Sequence, residues 1–139
     1  MIVYSTDISG LTENQLDGGF FVGWPSPPTR TQHLGVLLGS YRVVLARDSA
    51  SDDRVVGFVN LISDGVLTGF IPWLEVLPQF QGQGIGSELI RRILAETGHL
   101  YSVDLACDES LRPYYERLGM RSGTTNMAVR RYDTLKREP

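Results

Sequence analysis

The stretch of this chain that most restricts its fold contains three glycines at alternate positions. Gly82, Gly84 and Gly86 lie between an apolar segment that ends at Val76 and a segment, residues 85–94, whose apolar residues recur at helical spacing. Glycine adopts positive φ and lets a ligand approach the main chain, while the amides at a helix N-terminus attract anions. The pattern therefore predicts a strand, a turn that can bind a diphosphate, and an amphipathic helix.

Two familiar phosphate-binding turns do not fit these residues. A nucleotide P-loop requires a lysine after its last glycine, whereas Gly86 is followed by Ser87 and Glu88. A dinucleotide-binding turn belongs to the first βαβ unit of a parallel sheet, whereas this turn follows a predicted antiparallel meander. Glycine spacing alone leaves open a turn that only packs closely and binds nothing.

The rest of the chain alternates between strand and helix patterns. Strands are predicted at residues 2–4, 42–46, 55–62, 67–77, 101–106, near 120 and at 126–130, and helices at 12–21, 32–38, 85–98 and 110–119. This order predicts an α/β (α+β) fold, with a mixed sheet covered by helices on both faces. At 139 residues the chain has room for one domain, spanning residues 1–139.

Composition excludes several classes of protein. The net charge of −3 argues against nucleic acid as the main partner, and the basic residues near the end, Arg130, Arg131, Lys136 and Arg137, are interpreted as a solvated terminus rather than a binding patch. The single Cys107 offers neither an internal disulfide nor a metal cluster. No apolar stretch approaches the ~20 residues that span a bilayer. We therefore expect a cytoplasmic protein that binds no metal, nucleic acid or membrane.

Two motifs resemble those of the GNAT superfamily of acyl-CoA-dependent N-acetyltransferases. The first, Gln/Arg-x-x-Gly-x-Gly/Ala, occurs at residues 81–86, after Leu-Glu-Val at residues 74–76. The second, Asn-x-x-Ala-x-x-Phe-Tyr-x-x-x-Gly-Phe, occurs in altered form at residues 108–120, where Asp108 replaces the asparagine. The resemblance covers residues 55–129. It implies a mostly antiparallel sheet of six to seven strands with a splay after the fourth strand, and acetyl-CoA as co-substrate.

The resemblance also implies where the coenzyme binds. The amides of the glycine-rich turn would bind the pyrophosphate, and the pantetheine arm would pair with the end of the fourth strand. The residues expected to contact the coenzyme are Leu74, Glu75, Val76, Gln81, Gly82, Gln83, Gly84, Ile85, Gly86, Ser87, Asp108 and Tyr115. For Asp108, a local turn or cap is an equal alternative.

The resemblance to the GNAT superfamily also implies catalytic roles for two residues. The Val76 amide is the expected oxyanion donor, and Tyr115 is the expected general acid that protonates the departing sulfur; its alternative role is packing beneath the coenzyme. Tyr114 is interpreted as a packing residue.

The resemblance does not identify the base that removes a proton from the amine. Many relatives carry an acid early in the fourth strand, where this chain has Phe-Ile-Pro-Trp at residues 70–73. Glu75, Asp104 and a water relay are the alternatives, while His33 and His99 are expected in solvated positions.

Together these features predict transfer of an acetyl group from acetyl-CoA to a primary amine, preferably of a small molecule, by direct attack in a ternary complex. Phe21, Trp24 and Trp73, with Phe20 beside them, are expected either to form an apolar wall for the amine or to be core. Three rival functions remain open: an acyl-CoA sensor without catalysis, a protein or peptide N-acetyltransferase, and a structural domain with an empty turn. Both a monomer and a homodimer fit the sequence.

Overall fold

The computed structural model describes residues 1–123. Its strands are β1 (Ile2–Ser5), β2 (Arg42–Asp48), β3 (Arg54–Ser63), β4 (Thr68–Phe70), β5 (Leu74–Val76) and β6 (Ser102–Asp104), and its α-helices are α1 (Arg30–Gly39), α2 (Ile85–Glu96) and α3 (Arg112–Arg117). Short 3₁₀ turns cover Glu13–Leu16, Pro78–Phe80 and Glu109–Leu111. The strand predicted at residues 126–130 and the terminal basic residues lie outside the described part.

The six strands form one mixed sheet, as the sequence predicts. Strands β1 to β4 are consecutive antiparallel neighbours, β6 runs parallel to β4, and β5 pairs with β3. Alternation along β2 separates the two faces, because Val43 and Leu45 join one buried cluster while Val44 and Ala46 join the other. Helix α1 packs on the first face and α2 on the second, so helices on both faces are confirmed.

Local chemistry explains where the two longer helices begin. Thr29 precedes α1 and accepts a hydrogen bond from the Gln32 amide at 3.1 Å, while the Gln32 side chain accepts one from the Thr29 amide at 2.8 Å. Helix α2 begins after Gly84, whose φ of +81° suits glycine. The buried apolar stripe of α2 follows helical spacing: Ile85, Leu89, Ile90 and Ile93.

The helix predicted over residues 12–21 is wrong beyond Leu16. Only a 3₁₀ turn forms, and the chain then passes through Gly18 and Gly19 with φ of +127° and +100°. Two consecutive glycines in positive φ cannot continue a right-handed helix. Residues 17–24, which we call the acceptor loop after the role expected of Phe21 and Trp24, are therefore irregular backbone.

The strand predicted over residues 67–77 is divided in two by a bulge. Ile62 lies opposite Phe70 and Val59 lies opposite Leu74, so residues 60 and 61 of β3 face residues 71, 72 and 73. One extra residue bends the strand, and Pro72 is tolerated there because a bulge leaves an amide unpaired. The bend directs β5 away from β6.

Strands β4 and β6 remain together only up to the bulge. Their last main-chain bond is donated by the Ile71 amide to the Asp104 carbonyl at 2.9 Å. Beyond it, β5 pairs with β3 on one side, and within residues 1–123 no strand pairs with its other side. This gap is the splay predicted in the fourth strand, and it positions the site described next.

Candidate functional site

The open edge of β5 carries main-chain groups that face the splay. The Leu77 amide donates to the Val56 carbonyl at 2.8 Å, and the Asn60 amide donates to the Trp73 carbonyl at 3.3 Å. Because antiparallel partners alternate between bonded and non-bonded pairs, Glu75 bonds Phe58 in the same series. The main-chain groups of Leu74 and Val76 therefore point outward, and the Val76 amide among them is the group that the resemblance assigns as oxyanion donor. Those of Glu75 point to β3.

The glycine-rich turn follows β5 and leads into α2. Gly82 and Gly84 have φ of +78° and +81°, and a β-carbon on either would meet no atom within 4 Å. They are required for backbone conformation, and the space around them is open. The first main-chain bond of α2 runs from the Glu88 amide to the Gly84 carbonyl at 3.1 Å, so the amides at residues 85–87 precede the helical series. They form the positive end of α2.

The side chain of Gln81 folds back onto the strand. Its Nε2 donates to the Val76 carbonyl at 3.0 Å. This bond occupies the outward carbonyl at the end of β5 while the Val76 amide remains directed to the splay. Gln81 therefore connects the glycine-rich turn to the open edge.

Gly86 has a packing role that its sequence motif did not reveal. A β-carbon there would lie 3.1 Å from the Tyr114 hydroxyl and 3.8 Å from Val76 Cγ2. The same hydroxyl accepts a hydrogen bond from Ser87 Oγ at 3.2 Å. Tyr114, predicted to pack, therefore also ties α3 to the first turn of α2.

A cavity of about 420 Å³ occupies the splay. Its walls come from the bulge and β5 on one side, and from the segment after β6 and the start of α3 on the other. It brings together six residues selected from the sequence: Trp24, Trp73, Leu74, Glu75, Asp108 and Tyr115. Asp104, the second candidate base, does not line it.

Tyr115 lies on the α3 side of this cavity. Burial raises the pKa of Tyr115 to about 12, with smaller effects from Tyr114 and Cys107. The phenol therefore stays protonated near neutral pH. Cys107 also lines the cavity, although its sequence position gave no sign of this.

Glu75 lies on the opposite wall, half buried. Its Oε2 accepts a hydrogen bond from the Phe21 amide at 3.1 Å. Burial raises the pKa of Glu75 above its ordinary value, while the Phe21 bond and the Trp24 side chain lower it. The carboxylate is therefore already engaged by the acceptor loop.

The predicted aromatic residues gather beside this carboxylate. The ring centroids of Phe21 and Trp24 lie 5.0 Å apart, those of Phe21 and Trp73 5.7 Å, and those of Trp24 and Trp73 5.8 Å, all edge to face. Phe21 is 5% exposed and belongs to the core, whereas Trp24 and Trp73 line the cavity. Phe21 is therefore a core residue, whereas Trp24 and Trp73 pack against the core and are also accessible from the cavity.

His33 is not in a solvated position, contrary to expectation. It is 2% exposed and packs against Phe20, Phe21 and Phe58, with centroid distances of 5.3, 5.0 and 4.5 Å. Burial lowers its pKa to about 4. The spacing of His33 and Leu37, both buried on α1, was the signal that could have revealed this. His99 is exposed, as expected.

Two further findings concern metals and membranes. Among the described side chains, no group of three or more His, Cys, Asp or Glu is arranged to hold a metal ion. None of the helices within residues 1–123 has the length and apolar character that crossing a bilayer requires.

Comparisons with known proteins agree with this geometry. Residues 12–120 match the model of the acetyltransferase (GNAT) family. A Deinococcus radiodurans R1 protein assigned as an acetyltransferase has a crystal structure with a TM-score of 0.90 and 47% identity, covering 99% of this chain and 94% of that one. A GNAT-family acetyltransferase of Streptococcus pneumoniae TIGR4 has a TM-score of 0.66 and 26% identity, covering 94% of this chain and 99% of that one.

A curated relative covers less of the chain. The chloroplastic GCN5-related N-acetyltransferase 3 of Arabidopsis thaliana is 37% identical over 82 residues, which are 55% of this chain and 35% of that protein. The chain thus matches about a third of that relative's length. The family match extends over more than half of the chain and includes both the splay and the glycine-rich turn. The chain therefore belongs to the GNAT family of acetyltransferases.

Proposed function

We propose that this protein binds acetyl-CoA in the splay and transfers the acetyl group directly to a primary amine of a small molecule. The observation that carries the proposal is the open edge of β5, where the Val76 amide points outward one residue beyond Glu75, which lines a 420 Å³ cavity together with Leu74 and Tyr115. Membership of an acetyltransferase family supports acetyl-CoA as the acyl donor.

The coenzyme would use groups that the fold leaves unpaired. Its pyrophosphate fits the amides at residues 85–87, where Gly82 and Gly84 give open access to the main chain. Its amide-containing arm would continue the sheet along the outward groups of Leu74 and the outward Val76 amide, as an added strand. Asp108 lines the same cavity and would lie beside the arm.

The proposed reaction forms a carbon–nitrogen bond, develops a negative charge on the carbonyl oxygen and breaks a carbon–sulfur bond. The amine nitrogen attacks the thioester carbon, the negative charge on the carbonyl oxygen is stabilised by the Val76 amide, and the carbon–sulfur bond then breaks. One oxyanion donor is typically worth about 100- to 1,000-fold in rate. The sulfur leaves as a thiolate and takes up a proton.

Tyr115 is proposed as the general acid for that thiolate. Its pKa of about 12 exceeds that of an ordinary thiol, about 8.5, so complete transfer from the phenol is uphill. The phenol would therefore act chiefly as a hydrogen-bond donor to the sulfur while the bond breaks. The proton that the amine loses passes through solvent to the thiolate, so the reaction neither gains nor loses a proton overall.

Water is proposed to carry the proton away from the amine. Glu75, Asp104 and a water relay were the alternatives; Asp104 does not line the cavity, and the bond from the Phe21 amide to the Glu75 carboxylate supports the relay. The cavity is open enough for solvent to reach both walls.

The acceptor subsite would lie against Trp24 and Trp73, on the cavity side of the two rings. Their rings offer an apolar surface that also attracts cations, and the charged residues lining this cavity, among those described, include the acidic Glu75 and Asp108. These features favour a cationic amine with an apolar or aromatic body. Phenethylamine, tryptamine, a diamine and an N-terminal peptide are suitable probes.

The test measures thiol release from acetyl-CoA with this amine panel, together with the mass of each amine. We expect equal amounts of free coenzyme A and acetylated amine, fastest with an aromatic alkylamine. Binding of acetyl-CoA without turnover on any amine would favour the sensor. Faster transfer to the peptide would favour a peptide N-acetyltransferase.

A further inference from the structure

The acceptor loop is irregular, yet one of its residues is fixed in an unfavourable conformation. Phe21 has φ of +64°, in the left-handed region that residues with a β-carbon rarely adopt. Such a residue persists only where its surroundings determine it strongly, and it is common at functional sites. Phe21 is 5% exposed and contacts Trp24, Trp73, Phe58 and His33.

The only described side chain that accepts a hydrogen bond from the Phe21 amide is Glu75, 54 positions later in the chain. The carboxylate projects from a paired strand, because the main chain of Glu75 lies opposite Phe58 in the sheet. Left-handed backbone at Phe21 directs the amide to Oε2 at 3.1 Å, and its carbonyl accepts from the Trp24 amide at 3.2 Å. One carboxylate therefore fixes the turn that carries Trp24.

The Trp24 side chain also favours the ionised form of Glu75. The hydrogen bond from the Phe21 amide is the contact that joins the carboxylate to the turn running from Phe21 to Trp24. Trp24 in turn stands edge to face with Trp73, 5.8 Å away, on the cavity wall. The position of the proposed amine wall depends on this chain of contacts.

We propose that Glu75 is a positioning residue, which clamps the acceptor loop so that Trp24 and Trp73 form the amine subsite. It does not serve as the base. This inference rests on the proposed function for its kinetic consequences, while the clamp itself is a property of the free protein.

Two variants separate the clamp from a base. Glu75→Gln keeps an oxygen that accepts from the Phe21 amide and removes the charge, whereas Glu75→Ala removes the acceptor altogether. With a clamp, we expect Glu75→Gln to lose about 5-fold in kcat/KM for the amine, the difference between a charged and a neutral acceptor. Glu75→Ala should lose at least about 10-fold, mainly through KM for the amine, with KM for acetyl-CoA unchanged.

A base would behave differently in the same experiment. Both variants would then lose about 100- to 10,000-fold in kcat, with KM for the amine preserved. Equal losses in kcat from Glu75→Gln and Glu75→Ala would overturn the proposal.

Tryptophan spectra report the conformation of the acceptor loop without any measurement of turnover. The chain has two tryptophans, Trp24 and Trp73, and both flank the clamp. Near-ultraviolet circular dichroism and tryptophan emission should be parental in Glu75→Gln and altered in Glu75→Ala. Parental spectra in a folded Glu75→Ala would contradict the clamp.

The design distinguishes failure of the clamp from failure of the proposed function. If the parent acetylates no amine, the proposed function fails, and the spectra of the two variants still test the clamp. Should Glu75→Ala fail to fold, Glu75→Gln decides alone: a loss of about 5-fold in kcat/KM for the amine supports the clamp, and a loss of about 100-fold or more in kcat overturns it.

Discussion

Replacing His33 by phenylalanine should make the free energy of unfolding less sensitive to acid. The imidazole is 2% exposed among Phe20, Phe21 and Phe58, and burial lowers its pKa from 6.5 to about 4. The unfolded chain therefore binds a proton at His33 at a higher pH than the folded chain does. By linkage, the free energy of unfolding must fall as pH decreases from about 6.5 towards 4.

The size of this effect follows from the two pKa values. A shift from 6.5 to about 4, at about 1.4 kcal/mol per pKa unit, corresponds to about 2 kcal/mol of lost stability at pH 5 and about 3 kcal/mol at pH 4. At pH 7 the loss is negligible, because both states are then mostly unprotonated. His33→Phe cannot titrate and should lack this loss.

The assay is urea unfolding of the parent and His33→Phe at pH 7, 6 and 5. The difference between the two proteins should change by about 2 kcal/mol over this range in favour of the variant, since carboxylates titrate alike in both. The exposed His99 provides the matched control, and His99→Gln should follow the parent. If the unfolding free energies of the parent and His33→Phe change in parallel with pH, the buried imidazole titrates normally and the reasoning is refuted.

Three further predictions address the proposed site. Gly84→Glu should weaken acetyl-CoA binding by at least about 100-fold, because it introduces a negative charge at the positive end of α2. Gly84→Asn should bind acetyl-CoA nearly as the parent does, because asparagine tolerates left-handed backbone. If calorimetry gives Gly84→Glu the same acetyl-CoA affinity as the parent, the turn is not part of the coenzyme site. Tyr115→Phe should slow transfer by about 10- to 100-fold, the value of one hydrogen bond to a charged group, with unchanged acetyl-CoA affinity and thermal stability, and a parental single-turnover rate would leave Tyr115 as a packing residue. Trp73→Ala should raise KM for the amine while leaving KM for acetyl-CoA unchanged; a loss of thermal stability alone would assign Trp73 to the core.

Much of the fold was predictable because its signals are local. The apolar stripe of α2 recurs at helical spacing from Ile85 to Ile93, and the strands β2 and β3 are rich in β-branched residues. The two GNAT motifs predicted which residues would approach the splay, and Tyr115 and Asp108 line one cavity with Glu75. Their proposed chemistry still awaits the experiments above.

The errors come from contacts between distant parts of the chain. The helix predicted at residues 12–21 gave way to glycines in positive φ, and the acceptor loop is instead held by the bond from Phe21 to Glu75, 54 positions away. No periodic pattern encodes such a pair. Likewise, His33 is a polar residue on a helix, and its burial follows from the Phe20, Phe21 and Phe58 rings that the loop and β3 bring around it.

Amide chemical shifts of the ¹⁵N-labelled protein, recorded during a titration with acetyl-CoA, test most directly whether the coenzyme occupies the splay. The largest changes should occur at Val76 and at residues 85–87, with little change at Glu75, whose amide is paired with β3. Acetyl-pantetheine, which lacks the pyrophosphate, should shift Val76 and leave residues 85–87 near their free positions. Changes confined to other parts of the chain, or identical changes at residues 85–87 with both ligands, would contradict the proposed binding mode.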